Sequence, residues 1–114
     1  MTPCLFCRII KKEIPGRIVY EDDTALAFED INPQAPVHIL VVPKKHIDSL
    51  SNLTKTDKEL IGSLFLIVNS LSKTRNLVQA GFRTVVNTGP GGGQTVYHLH
   101  VHLLGGRQMT WPPG

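Results

Sequence analysis

Three histidines alternate with apolar residues in His98-Leu99-His100-Val101-His102, and two cysteines stand as Cys4-x-x-Cys7. In an extended segment side chains alternate between faces, so the three imidazoles share one face at spacings of about 6.6–7 Å. Tyr97, Leu99, Val101 and Leu103 share the other, which is apolar and must meet a core. The imidazole face must then meet solvent, a ligand or a metal. Imidazole ordinarily titrates near neutrality, so it serves as nucleophile, acid or base there. A neutral imidazole attacks phosphorus and leaves it again, which suits a two-step nucleotidyl transfer, while its neighbours hydrogen-bond the phosphate oxygens. A solvated His-rich face and a metal site made of all three rings are the competing readings. The chain has five histidines in all, and three in strict alternation favour a ligand.

The residues around this segment fit an anion. Gly89-Pro90-Gly91-Gly92-Gly93 lets backbone N–H groups approach a phosphate closely, although a flexible loop explains the glycines equally well. No G-K-[ST] follows, so this is not a P-loop. Asp30, at the end of a strand-like segment, offers a carboxylate for the two hydroxyls of a ribose, or simply caps a turn. His38, two residues after Pro36, joins the imidazoles if its strand lies near theirs.

Without a secretory signal pattern at the N-terminus, the reading is a reducing, cytoplasmic setting. There a C-x-x-C signals metal or redox chemistry rather than a structural disulfide, and the redox alternative lacks its βαβ context. Zinc wants four tetrahedral ligands, so Cys4 and Cys7 need two more; His46 and His98 are the candidates.

The elements that position these groups follow from pattern. Residues 3–12 predict a short helix, stopped by Pro15-Gly16. Arg17–Glu21 and Thr24–Glu29 predict strands joined at Asp22-Asp23, and Val37–Val42 a third strand ending at Pro43. Residues 56–76 predict the main helix, with Thr56 and Glu59 as a capping box and Leu60, Ile61, Leu64, Phe65, Val68 and Leu71 as its buried stripe. Phe82–Asn87 and Thr95–Leu104 complete five strands. Most connections are too short for parallel crossovers, so the sheet is antiparallel and the class α+β.

Composition bounds the rest. The 114 residues suit one domain over 1–114. With 41% hydrophobic and 18% charged residues, a long charged disordered tail is excluded. The longest apolar run, Leu64–Val68, is far below the about 20 residues that span a bilayer, so no membrane partner is expected. The net charge of +3 is mild and its lysines come in pairs, not runs; it suits a small anionic ligand, and nucleic acid is not expected.

Beyond this residue-level reading, the chain resembles the histidine triad (HIT) family, specifically its nucleotide-binding Hint branch. The motif is His98-Leu99-His100-Val101-His102-Leu103-Leu104, flanked by Gly93-Gln94-Thr95-Val96-Tyr97 and Gly105-Gly106-Arg107-Gln108-Met109-Thr110-Trp111-Pro112-Pro113-Gly114. Asp30-Ile31-Asn32-Pro33-Gln34-Ala35-Pro36-Val37-His38 and Val42-Pro43-Lys44-Lys45-His46-Ile47 are similar too. The resemblance implies a homodimer whose five-stranded sheets join into one. It implies purine nucleotide binding and hydrolysis of phosphoramidates such as adenosine 5′-monophosphoramidate, or of aminoacyl adenylates, with release of AMP and without a catalytic metal.

Carried over, His100 resembles the nucleophile, His102 its phosphate-contacting partner, and His38 and His98 the remaining active-site histidines. Asp30 and Ile31 resemble the ribose site; Phe6, Ile9, Ile14 and Phe28 the base pocket; Asn87, Gly93, Gln94 and Thr95 the surroundings of phosphate and leaving group. Two departures stand out. Thr95 replaces the branch's usual serine, keeping the hydroxyl and adding a methyl. Cys4 and Cys7 resemble those members that bind a structural zinc with histidines matching His46 and His98. A nucleotide sensor or scaffold with vestigial catalysis is the competing function.

Overall fold

The computed structural model describes residues 4–114. Helix α1 spans Leu5–Ile10 and is followed by strands β1 (Ile18–Glu21), β2 (Ala25–Glu29) and β3 (Val37–Pro43). Helix α2 (Lys58–Thr74) leads to β4 (Phe82–Val85) and β5 (Val101–Gly105). The five strands form one antiparallel sheet in the order β1-β2-β3-β5-β4. The α+β class and the strand count match the sequence reading.

The period of two along each strand sorts the sheet into two apolar faces. Ala25, Ala27, Ile39, Val41, Val101 and Leu103 point to α2 and pack on Leu64, Ile67, Val68 and Leu71. The alternate residues Leu26, Phe28, Leu40 and Val42 meet Phe6 and Ile9 of α1. Each large side chain buried there contributes about 1.5–3 kcal/mol, enough to hold a helix of six residues that is far too short to persist alone. This second face also carries His38 and His102. The register aligns Phe28, Leu40, His102 and Val85 in one row across β2, β3, β5 and β4, and His38, Leu104 and Arg83 in the next.

Several boundaries differ from expectation for physical reasons. The reciprocal pair at the start of the main helix is Thr54–Asp57, not Thr56–Glu59: the Thr54 N–H donates to Asp57 Oδ2 at 3.0 Å. Lys45 Nζ donates to the other oxygen of Asp57 at 2.7 Å, so a contact from outside the helix selects that register. The buried stripe contains Ile67 in place of Phe65, which is 43% exposed. The last strand begins at Val101 instead of Thr95. Its ladder with β3 ends at Val41↔Val101, close to Pro43, which has no N–H to extend a ladder, and the Leu99 N–H turns to Ile47 O at 2.6 Å. Tyr97, expected in the core, is exposed as a result. β4 likewise stops at Val85, short of Asn87. Residue 3, the expected start of the first helix, lies outside the described residues; α1 starts at Leu5, where Cys4 caps it by accepting the Cys7 N–H through Sγ at 3.3 Å.

Candidate active site and metal centre

His98, His100 and His102 do project to the α1 side. The ring of Phe6 meets His98 and His100 edge-on, with centroids 6.0 and 5.0 Å apart, and the His100 and His102 rings lie 4.9 Å apart. β3 adds His38, whose ring lies 5.2 Å from that of His102.

The hydrogen bonds assign a task to each ring nitrogen. His100 Nδ1 lies 2.7 Å from the carbonyl oxygen of His98. A carbonyl can only accept, so Nδ1 carries the proton and donates, and Nε2 keeps its lone pair. His38 Nδ1 accepts the backbone N–H of Gln34 at 3.0 Å, which puts the proton of His38 on Nε2. That proton faces His102 Nδ1 at 2.9 Å and, more loosely, Asp30 Oδ2 at 3.5 Å. His102 Nδ1 therefore accepts, and its proton sits on Nε2, which is buried without a protein partner. A buried, unpartnered N–H in a cleft is a donor held ready for a ligand oxygen.

Burial keeps these rings neutral. It pushes the imidazolium pKa of His38 down, against a smaller opposing pull from Asp30. It does the same for His100, against the His98 carbonyl and Asp30. His102 falls to about 4, through burial first and then the rings of His100 and His38. The result is a lone pair on His100 and an N–H on His102, side by side at neutral pH.

They open on a cavity of about 300 Å³ between α1 and the sheet. Its walls include Phe6, Ile9, Ile14 and Phe28, its rim Asp30 and the 95%-exposed Ile31, and its inner end Thr95, His100 and His102. An apolar slot ending in a few convergent polar groups is the common form of a small-ligand site. Asp30 has one oxygen engaged already, accepting the Asn32 N–H at 2.8 Å in a turn.

Other expected residues lie elsewhere. The side chain of Gln94 is committed to its own loop: Oε1 accepts the Gly89 N–H at 3.0 Å, and Nε2 donates to Asp48 O and Val96 O at 2.8 and 3.0 Å. It shapes the glycine turn, where Gly93 adopts φ +80°. Asn87 and His38 line a second groove beyond His102. Arg83 and Arg107 also line that groove; Arg107 stands in the flank quoted for the resemblance, but no local pattern marked either as a site residue.

His98 faces away from the cavity into the cysteines. Its Nε2 donates to Pro43 O at 2.8 Å, so Nδ1 presents a lone pair to Cys4 Sγ at 3.3 Å and Cys7 Sγ at 3.5 Å. His46 does the same: Asp48 Oδ1 accepts from Nε2 at 2.6 Å, and Nδ1 lies 3.3 Å from Cys7 Sγ and 3.1 Å from His98 Nδ1. Two nitrogen lone pairs facing at 3.1 Å repel unless a cation lies between them. Tetrahedral zinc, with bonds of about 2.0–2.1 Å to nitrogen and 2.3 Å to sulfur, requires N···N edges of about 3.3 Å and N···S edges of about 3.6 Å. The donor set fits zinc in type, number and spacing, and Pro43 O and Asp48 supply the outer hydrogen bonds that orient ligating histidines. Asp48, two residues after His46, is a member of this centre that the sequence reading did not single out.

The HIT domain family matches residues 11–109. The chain belongs to the HIT family. This HIT chain is 53% identical over 116 residues to the 14 kDa zinc-binding protein of Zea mays, covering 99% of itself and 89% of the relative. It is 51% identical over 116 residues to the adenylylsulfatase HINT1 of Arabidopsis thaliana, at coverages of 99% and 78%. Among solved structures, a HIT family hydrolase from Legionella pneumophila Philadelphia 1 superposes with a TM-score of 0.96 at 51% identity, over 97% of this HIT chain and 99% of the other.

Proposed function

We propose that this HIT protein hydrolyses the P–N bond of purine nucleoside phosphoramidates, or the corresponding bond of aminoacyl adenylates, through a nucleotidyl-His100 intermediate. The observation that carries the reading is the Nδ1–H of His100 on the His98 carbonyl, which leaves Nε2 free for attack. The purine and ribose lie in the α1 cavity, with Asp30 toward the sugar. The Nε2 lone pair attacks the α-phosphorus; the P–N bond breaks and its electrons leave with the amine nitrogen, which takes a proton. Water then attacks the phosphorus, the P–Nε2 bond breaks, and AMP departs. His102 Nε2–H and the backbone near Gly93–Thr95 stabilise charge growing on the phosphoryl oxygens, a contribution usually worth about 10²–10³ in rate per donor.

Zinc on Cys4, Cys7, His46 and His98 is structural in this reading. When bound it supplies a crosslink between α1, the segment after β3 and the approach to β5, and it takes no part in the displacement. The reading further holds that 1–114 is one domain, that two chains pair with their sheets joined, and that the protein works in the cytoplasm. The sheet edge at β4, with Phe82 38% exposed, supports the pairing.

Single turnover of a fluorogenic adenosine phosphoramidate tests the chemistry. A transient nucleotidyl label on His100 is expected, and His100→Ala should lose more than about 10³-fold in kcat/KM while still binding AMP. AMP binding without turnover or label in the native protein would favour a sensor or scaffold instead.

A further inference from the structure

The proposed zinc centre is open on one side and stands at the wall of the nucleotide cavity. Cys4 and Cys7 are both half-buried. A groove of about 440 Å³, with Cys4, His46, Asp48 and Thr95 in its lining, leads to them from solvent. The His46 and Asp48 side chains are themselves exposed. A small oxidant therefore reaches Cys4 through the groove. The two cysteines share one turn of chain: Cys4 is the N-cap of α1, and the N–H of Cys7, three residues on, donates to Cys4 Sγ at 3.3 Å. Helix geometry places the Cα atoms of residues so spaced about 5 Å apart, inside the roughly 4.4–6.8 Å range of disulfides. Their sulfurs lie within 4.8 Å of each other, so side-chain rotation joins them while the helix backbone stays in place.

What the centre holds gives its oxidation a consequence. α1 has six residues, and its Phe6 and Ile9 wall the cavity. Packing on Leu26, Phe28, Leu40 and Val42 seats it on the sheet. The four-donor centre is a second attachment, to His46 after β3 and His98 before β5. A disulfide takes both sulfurs out of that donor set. The two ring nitrogens left behind face each other at 3.1 Å and repel, and the exposed His46 ring is the one able to turn out to solvent. α1 then keeps only its apolar seat, and the wall it forms is in place for a smaller fraction of the time.

We propose that Cys4 and Cys7 form a peroxide-sensitive pair: their oxidation to a disulfide releases zinc and loosens the α1 wall of the nucleotide cavity. This rests on the zinc and nucleotide readings above and adds regulation to them. Hydrogen peroxide is the oxidant. The Cys4 thiolate attacks one peroxide oxygen, the O–O bond breaks, and hydroxide departs, leaving a sulfenic acid on Cys4. The Cys7 thiolate attacks that sulfur; the S–S bond forms, the S–O bond breaks, and a second hydroxide departs. Two electrons have then passed from the two sulfurs to the peroxide. A thiol reductant reverses the step by exchange and restores both thiolates for zinc. In a reducing cytoplasm such a disulfide is transient, the kind that reports an oxidant rather than holds a fold.

The experiment treats the full chain, reduced and loaded with zinc, with a small molar excess of hydrogen peroxide. Released zinc is read with a colorimetric chelator. The disulfide is read by mass, as a peptide carrying both cysteines that is two hydrogens lighter and resists alkylation. AMP affinity is read by calorimetric titration. One zinc released per disulfide is expected, with reversal by dithiothreitol and added zinc. With α1 docked in about 10–30% of oxidised chains, the Kd for AMP rises by the inverse of that fraction, about 3- to 10-fold. His46→Ala keeps both sulfurs; it should bind AMP this weakly when reduced and lose no more on oxidation. Reduced native protein stripped of zinc should match it, which guards against a folding defect in the variant. Zinc retained with both thiols intact, or sulfinic acid formed without a disulfide, overturns the pair as a sensor. A disulfide with zinc release and an unchanged AMP Kd overturns the coupling to the cavity. A reduced chain that takes up no zinc overturns the zinc reading, and a zinc-loaded one that binds no AMP overturns the nucleotide reading; the proposal falls with either.

Discussion

Removing zinc from the proposed Cys4, Cys7, His46 and His98 site is the perturbation whose size can be worked out most directly. The four donor atoms of Cys4, Cys7, His46 and His98 all lie within 4.8 Å of one another. They join α1, the segment after β3 and the approach to β5. A ligand that binds the native chain alone stabilises it by RT ln(1 + [L]/Kd), about 2.7 kcal/mol at 100 Kd and 4.1 kcal/mol at 1,000 Kd. For a chain of this length one kcal/mol moves the melting temperature by roughly 4 °C, so zinc should raise it by about 11–16 °C over the chelated protein. The assay is calorimetric melting of protein stripped with a chelator, with and without excess zinc, alongside elemental analysis of the protein as purified. One equivalent of zinc per chain and a shift of that order are expected. His46→Ala, which removes a half-exposed ligand without opening the core, should abolish most of the shift. An unchanged melting temperature with saturating zinc, or a purified protein with far less than one equivalent, would refute the assignment.

Three further outcomes follow from the geometry. His102 is held neutral in the folded chain down to about pH 4, whereas unfolded histidine titrates near 6.5; the unfolded chain therefore binds more protons between these values, and folding stability should rise with pH across that window and level off above it. Urea titrations at pH 4.5 and 7 should show a smaller rise for His102→Gln than for the native chain, the difference not exceeding about 1.4 kcal/mol per pH unit. A Cβ on Gly92 would meet Thr88 O at 2.5 Å, while one on Gly91 meets nothing within 4 Å; Gly92→Ala should cost about 1–3 kcal/mol in urea unfolding and Gly91→Ala close to nothing, and equal effects would refute the close approach. Phe6, 4% exposed and edge-on to Phe28 and His100, walls the cavity; Phe6→Ala should cost about 3–5 kcal/mol of stability and weaken AMP binding by calorimetric titration, and native affinity in a folded variant would remove it from the base pocket.

The sequence was most legible where a local rule and the tertiary structure agree. β2 and β3 are bounded by turn chemistry at Asp22 and Pro43, and the three imidazoles still gather on the α1 side although residues 96–98 bend away from the ladder. Four of the cavity's apolar walls, Phe6, Ile9, Ile14 and Phe28, were legible through family resemblance rather than through any period. What was not legible depends on contacts far apart in the chain. Lys45 draws the helix start to Asp57, and the Ile47 carbonyl takes the Leu99 N–H, detaching residues 95–100 from the sheet. Gln34 fixes the tautomer of His38 through a backbone N–H, a donor every non-proline residue has, so no side-chain motif marks it. Arg83 and Arg107 come together because β4 and the chain after β5 are neighbours, and 23 residues separate them in sequence.

His98 sits at the junction of two kinds of work. Its ring is spoken for on both nitrogens, one toward Pro43 and one toward the cysteines, while its carbonyl steadies the His100 ring two residues on. In the proposed mechanism the first histidine of the motif is thus a splint rather than a reagent. Evolution could therefore exchange the cysteine anchor for other packing without rewriting the proposed reaction, provided the peptide at position 98 kept its aim.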